Sequence, residues 1–371
     1  MENFFNGAKT AQSMVALIRK PELPAFSPAE RLLFQMVITY ALLCCVAAYH
    51  NGILNRIDFF IYASSAAETL LAIAQVFIMY GCFKVLWWKA TLRPRPLFRD
   101  WWPMLFKNLQ IKDRFVKAVP LFISLFIFLS LFTNMKGLIS YYGTYSWDPI
   151  WAETDRKLHF GVDPWRLLQP LLGFPYITKA INILYNFWLP MLIFFLYWQL
   201  VSHRDPGLRM QFFFTFFIVW GVNGTLVAIL FASGGPCYFE MLTGSHYFAE
   251  QMNYLHEVNR QYGLWSVTTQ EMLRDMYQKN KIMIGVGISA MPSMHVATAF
   301  LFYLLTARLN KKVGRVFGLY CLFILLGSVH LGWHYAVDGY VSIISTGLYW
   351  KLAGIIAKKS INRSGICLTE R

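Results

Sequence analysis

Charged residues are scarce in this chain. Asp, Glu, Lys and Arg make up 14% of its 371 residues, and acidic side chains number 19 against 34 basic ones. Soluble domains carry about a quarter charged residues, so a water-soluble globule is excluded. Cysteine is sparse as well. Most of the six (Cys44, Cys45, Cys82, Cys237, Cys321 and Cys367) fall in or beside apolar runs, where the thiol acts as a small hydrophobe; Cys237 stands in a loop with no evident disulfide partner. No small-residue cleavage site follows the apolar stretch 11–18, which runs into Arg19, Lys20 and Pro21. An interfacial helix is expected there rather than a cleaved leader. Internal repeats and low-complexity tracts are lacking.

What the chain has is apolar length. Hydrophobic residues make up 57% and aromatics 18%, and several runs reach the roughly 20 residues that cross a bilayer. Eight spans are expected, at about 31–50, 58–83, 118–139, 180–201, 209–232, 294–309, 315–332 and 337–357. The fold expected is all-α, a polytopic membrane helix bundle. Residues 1–117 would hold the interfacial helix, two spans and a basic loop, residues 118–357 a six-span core, and residues 358–371 a tail. The first span has a defined start: Ser27 suits the cap, Pro28 the first helical position, and Glu30 completes a capping box.

Basic residues set the sidedness. With a cytoplasmic N-terminus, segments 1–31, 84–117, 202–209, 308–315 and 351–371 fall inside and carry 24 of the 34 Lys and Arg, as the preference of these residues for cytoplasmic loops requires. Both termini are then cytoplasmic. The net charge of +15 serves topology and attraction to anionic headgroups, and no nucleic-acid partner is expected. Loop 84–117, with Arg93-Pro94-Arg95-Pro96 and Trp101-Trp102-Pro103, is expected in the inner headgroup layer. The outer stretch 140–179 reads as short amphipathic helices resting on the surface. The outer stretch 233–293, rich in Tyr, Trp and Met and with a capping-box pattern from Thr268 to Glu271, reads as an ordered lid.

Three segments then converge on the outer face: Gly234-Gly235-Pro236-Cys237-Tyr238, Pro292-Ser293-Met294-His295, and His334-Tyr335-Ala336-Val337-Asp338. Two histidines and a carboxylate on one side suit attack on a lipid phosphate. A neutral imidazole of the right tautomer can attack phosphorus, and a carboxylate on its other nitrogen sets that tautomer and stabilises the developing charge. His334 and Asp338 are four apart, which on a helix puts them on one face. His295 fits the acid that protonates the departing alkoxide. Ser293 sits where a helix begins, and free N–H groups there bind anions; His330, one turn before His334, can add a donor. Plainer readings stand beside these. A lone interfacial histidine is more often structural, Asp338 can be a helix N-terminal charge, and Pro-Ser is ordinary helix-start grammar. His330, His334, His295 and Asp338 can also be read as zinc ligands, although no HExxH accompanies them. Glu68, a carboxylate inside the second span, supports a transporter or lipid-binding reading without chemistry; its neighbours Ser64, Ser65 and Thr69 favour a polar helix contact instead.

Pro-Ser-x-His followed by His-x-x-x-Asp resembles the second and third motifs of the type 2 phosphatidic acid phosphatase superfamily. The fuller contexts AMPSMHVATAF and HLGWHYAVDGY, with Gly-Gly-Pro-Cys-Tyr upstream, look like its inositol phosphorylceramide synthase branch, and DPIWAETDRKLHFGVDPWRLLQP is similar to bacterial members of that branch. The likeness covers roughly residues 140–357. It implies that His334 is a nucleophile forming a phosphohistidine, Asp338 its orienting carboxylate, His295 the acid and later base, and Ser293 a phosphate contact. Two departures stand out. The phosphatase branch has Ser-Arg six to seven residues before the nucleophile, where this chain has Gly327 and Ser328; its first motif is a lysine followed by Arg-Pro, where this chain has Gly235-Pro236. Lys281 and Lys279 are candidates for meeting the phosphate charge, with a solvated charge pair as the plainer reading. Arg93-Pro94 copies the first motif in letters but falls on the wrong side.

The resulting expectation is a phosphotransferase in a multi-pass membrane position, a bacterial inner membrane by the likeness, with its site on the outer face. It would move a phospho-head group from a membrane phospholipid donor to a lipid acceptor with no metal or organic cofactor. A plain lipid phosphate phosphatase, with water as acceptor, is the alternative.

Overall fold

The computed structural model of the protein describes residues 26–58, 61–62, 111–139, 144–202, 205–279 and 287–362. Among these the regular structure is helical, in the order α1 (Pro28–His50), α2 (Ile111–Gly137), α3 (Asp148–Leu158), α4 (Pro164–Leu172), α5 (Pro175–Asn186), α6 (Trp188–Val201), α7 (Pro206–Ile218), α8 (Phe239–Thr243), α9 (Ala249–Tyr262), α10 (Trp265–Gln278), α11 (Met294–Leu309), α12 (Lys311–His330) and α13 (Ala336–Asn362). Six stretches are long and apolar enough to cross a membrane: Pro28–His50, Lys117–Gly137, Pro175–Val201, Pro206–Leu230, Lys311–His330 and Ala336–Ser360, with Met294–Leu309 as a shorter apolar helix. The protein is thus a multi-pass helical membrane bundle, and these seven stretches answer to seven of the eight expected spans. The second expected span from residue 63 on, with Glu68, lies outside the described residues, as do the interfacial helix near the N-terminus, Arg93-Pro94 and Lys281.

The first span starts as its letters require. Ser27 Oγ accepts from Glu30 N (3.2 Å), and the Glu30 carboxylate accepts from Ser27 N (3.0 Å). Glu30 also lies 3.8 Å from Arg209, whose guanidinium donates to the carbonyls of Gln199 and Leu200 at the end of α6. One buried cation therefore ties α1, α6 and α7 together. The break between α5 and α6 falls at Phe187, three residues before Pro190, which has no N–H to give and crowds the carbonyl four residues back.

Lipid offers helices no hydrophobic reason to associate, so close packing must hold the bundle. Phe195 and Phe302 stack at 4.2 Å, and Phe212, Phe213, Phe214 and Phe216 of α7 are fully buried. Gly314 lets α12 fold back tightly on α11: a Cβ there would meet Ala307 Cα at 2.6 Å. The helix begun by α7 continues through wide π turns at Val219–Val227 to Leu230. In that segment Asn223 donates to Ser345 Oγ of α13 (2.7 Å), and Gly224 lies against Phe132 of α2 and Met294 of α11. The lid segment holds α8, α9 and α10, but α10 starts at Trp265. Thr268 is therefore inside the helix, with its hydroxyl donating back to Leu264 O, and is not the cap that its spacing from Glu271 implied.

Candidate active site

Three chain segments are stitched together where α13 begins. Ala290 N donates to Ser233 O (2.8 Å), Cys237 N to Gly332 O (2.9 Å) and Ser293 N to Asp338 O (3.3 Å). Gly235 has φ +87°, and a Cβ on it would lie 2.4 Å from the Trp333 carbonyl oxygen, so only glycine allows this approach. Cys237 is a buried free thiol inside the junction.

Helix α3 clamps these segments. Asp148 accepts from Gly234 N and Gly235 N, both at 2.8 Å, and from the Tyr335 hydroxyl at 2.7 Å. Asp155 accepts from Ala336 N (2.6 Å) and Val337 N (2.8 Å), the first N–H groups of α13, which have no partner inside the helix. Burial raises both carboxyls, Asp155 up to about 6, against the opposing pull of their N–H donors. The sequence placed α3 as an amphipathic helix at rest on the surface. The helix exists, but its aspartates are buried and hold the site loops. Two aspartates seven apart on one helical face were the available signal, hidden among exposed Glu153, Arg156 and Lys157.

His334 stands two residues before α13, so it does not share a helical face with Asp338 as the i, i+4 spacing implied. The contact forms nonetheless, because the chain turns into the helix there. His334 Nδ1 lies 2.9 Å from the Ala290 carbonyl oxygen and 3.2 Å from Asp338 Oδ2. Asp338 Oδ2 also accepts from Tyr335 N (3.0 Å), the reach of an N3 acid back to its N-cap residue. A carbonyl can only accept, so Nδ1 carries the proton and Nε2 keeps its lone pair. Burial, and then the charge of Lys136, push the His334 imidazole down to about 3.

His295 is the second residue of α11. Its ring centroid is 6.1 Å from that of His334, with the planes at 62°, a separation that a phosphate group can occupy. Tyr185 stacks on His295 at 4.7 Å and Trp188 lies against it at 4.2 Å. Among the described residues no hydrogen-bond partner holds a ring nitrogen of His295. These aromatic walls come from both sides of the α5–α6 break and carry no signature in the sequence beyond their apolar character.

The other expected site residues fare differently. Ser293 is buried, and its Oγ accepts from Val296 N (3.4 Å) as the N-cap of α11. His330 is turned to α5, with Nε2 2.9 Å from Thr178 Oγ1, which also contacts Tyr254. The structure thus makes His330 part of a buried polar contact between helices instead of a member of the histidine pair. Because α12 ends at His330, the spacing that suggested a shared zinc face with His334 is not helical; among the described residues no three His, Cys, Asp or Glu side chains cluster as metal ligands. Lys279 is half-exposed and pairs with Asp275 at 2.6 Å, the solvated charge pair of its plainer reading. Lys281 lies outside the described residues.

The family model of the PAP2 superfamily matches residues 151–352. No curated protein and no solved structure matches the chain. The match spans more than half of the sequence and contains His295, His334, Asp338 and the clamping Asp155, and on that ground the chain belongs to the PAP2 superfamily.

Proposed function

We propose that the protein is a lipid phosphotransferase that moves a phospho-head group, inositol-phosphate-like by its sequence likeness, from a phospholipid to a lipid hydroxyl through a phosphohistidine. Membership of the PAP2 superfamily makes it an enzyme of the phosphatase and phosphotransferase type acting on phosphate esters at a membrane. The observation that carries the finer reading is the histidine pair, 6.1 Å apart, with Nδ1 of His334 already occupied.

In the first step His334 Nε2 attacks phosphorus while the bond to the diacylglycerol oxygen breaks. His295, made cationic by the anionic substrate beside it, gives its proton to that oxygen. Asp338 and the Ala290 carbonyl stabilise the positive charge that His334 gains. In the second step neutral His295 removes the proton of the acceptor hydroxyl, whose oxygen attacks phosphorus and releases His334. No cofactor enters either step. The site would face the outer leaflet of a bacterial inner membrane, with Ser293 as a phosphate contact and both termini cytoplasmic, as the basic inner loops support.

The test is turnover of a head-group-labelled phospholipid by the full chain in nanodiscs, with and without a lipid alcohol. Label appearing on the alcohol, and its loss in His334→Ala, is the expected result. Release of free head-group phosphate unaffected by the alcohol would assign a phosphatase instead, and unchanged turnover in His334→Ala would remove the mechanism.

A further inference from the structure

A phosphate held between His295 and His334 needs a positive charge. Of the sources expected from the sequence, Lys281 lies outside the described residues, and the others do not supply it. Gly327 and Ser328 stand where the phosphatase branch has Ser-Arg. Gly327 packs against Ile181 and Tyr185, and the Ser328 carbonyl accepts from Trp333 N and His334 N. Lys279 is paired with Asp275. The first N–H groups of α13 are taken by Asp155. Arg274 donates to the Cys237 carbonyl and braces that loop.

One further cation lies beside the site, on a helix that none of the motifs includes. Lys136 lies in the last turn of α2, one turn beyond Phe132. Phe132 and Met294, the residue before His295, both lie against Gly224, so this face of α2 abuts the start of α11. On its other flank the Lys136 carbonyl and Cγ lie against Gly287, whose φ of +125° leaves no room for a Cβ: one would come 2.4 Å from the Lys136 oxygen. Gly287 opens the strand of chain that runs to Ala290, the acceptor of His334. Lys136 is half-buried, and among the described residues it has no hydrogen-bond or ion-pair partner. A lysine at the end of a span commonly extends its ammonium to the interface. Here the charge instead falls on the catalytic pair, since Lys136 is the second cause, after burial, of the low His334 value.

We propose that the Lys136 ammonium is the fixed cation that binds the non-bridging oxygens of the substrate phosphate between His295 and His334, in place of the arginine that this chain lacks. The assignment rests on the phosphotransfer reading above. A lysine suits the task as a compact point charge with three donors.

The experiment compares full-length wild type, Lys136→Met, Lys136→Arg and His334→Ala in nanodiscs, by labelled-phospholipid turnover and by inhibition and melting shift with orthovanadate. Lys136→Met is expected to lose about 100-fold in kcat/KM, as for removal of one electrostatic donor to a transition state, and to weaken orthovanadate inhibition by a similar factor. Lys136→Arg keeps a charge and should recover most of both. If Lys136→Met does not survive extraction, Lys136→Gln takes its place. Equal orthovanadate affinity in wild type and the neutral variant, with His334→Ala inactive, overturns the Lys136 assignment and leaves the phosphotransfer reading standing. Full turnover in His334→Ala, or no orthovanadate effect on wild type by either readout, overturns both.

Discussion

Asp338→Asn separates two jobs that a carboxylate beside a catalytic histidine usually performs together. In a triad where the carboxylate alone holds the imidazole, the amide replacement turns the tautomer and costs about 10⁴ in rate. Here the Ala290 carbonyl, at 2.9 Å, is nearer to Nδ1 than Asp338 Oδ2 is, at 3.2 Å. The carbonyl can hold the Nδ1–H tautomer by itself. The amide should also fit: its oxygen takes the place of Oδ2, serving Tyr335 N and His334, and its NH₂ takes the place of Oδ1, which has no hydrogen-bond partner among the described residues. What is lost is the charge that would face the imidazolium-like phosphohistidine of the proposed mechanism. A charge-assisted hydrogen bond contributes about 1.5–3 kcal/mol, so kcat/KM should fall by about 10- to 150-fold, with a melting temperature close to wild type. The assay is labelled-phospholipid turnover beside His334→Ala. A loss as large as that of His334→Ala would mean that Ala290 does not hold the tautomer. A loss under about threefold would mean that the Asp338 charge is unused.

Asp148→Ala leaves two buried N–H groups and the Tyr335 hydroxyl without their acceptor; a destabilisation of about 3 kcal/mol is expected, read as a lower melting temperature, and wild-type melting would sink the clamp. His330→Gln should lower stability through loss of the Thr178 contact while leaving orthovanadate inhibition within about threefold of wild type, a margin below 1 kcal/mol; a large loss of inhibition would return His330 to the phosphate site. For His334, the folded value of about 3 lies below the ordinary value near 6.5. The unfolded chain therefore binds the extra proton between those limits, and this group's share of stability is complete above pH 6.5 and erodes as pH falls toward 3. A His334→Asn variant should show a flatter melting profile across that window, and identical slopes would contradict the burial of a neutral imidazole.

Much of the plan of the molecule was legible in the letters. Ser27, Pro28 and Glu30 announce the first span because capping is a local reaction between neighbours. The apolar runs announce the other spans because a bilayer imposes a length on any helix that crosses it. The pairing of His334 with Asp338 was also visible, though for a partly mistaken reason: their spacing suggested a shared helical turn, whereas the helix begins between them. Thr268 misled similarly, since a local capping pattern cannot show that tertiary packing has already started the helix at Trp265.

The sequence alone determined that this is a membrane bundle and which side chains are candidates to handle a phosphate, because composition, run length and close spacing act over a few residues. Only the tertiary structure decided how those side chains are served. The buried hold of Asp148 and Asp155 on two loops, the aromatic walls from Tyr185 and Trp188, the removal of His330 to Thr178 and the packing of Lys136 of α2 against Gly287 all join residues far apart in the chain. Such contacts depend on how helices cross and where their ends meet. Those angles are set by close packing across the whole bundle, and no short stretch of sequence encodes them.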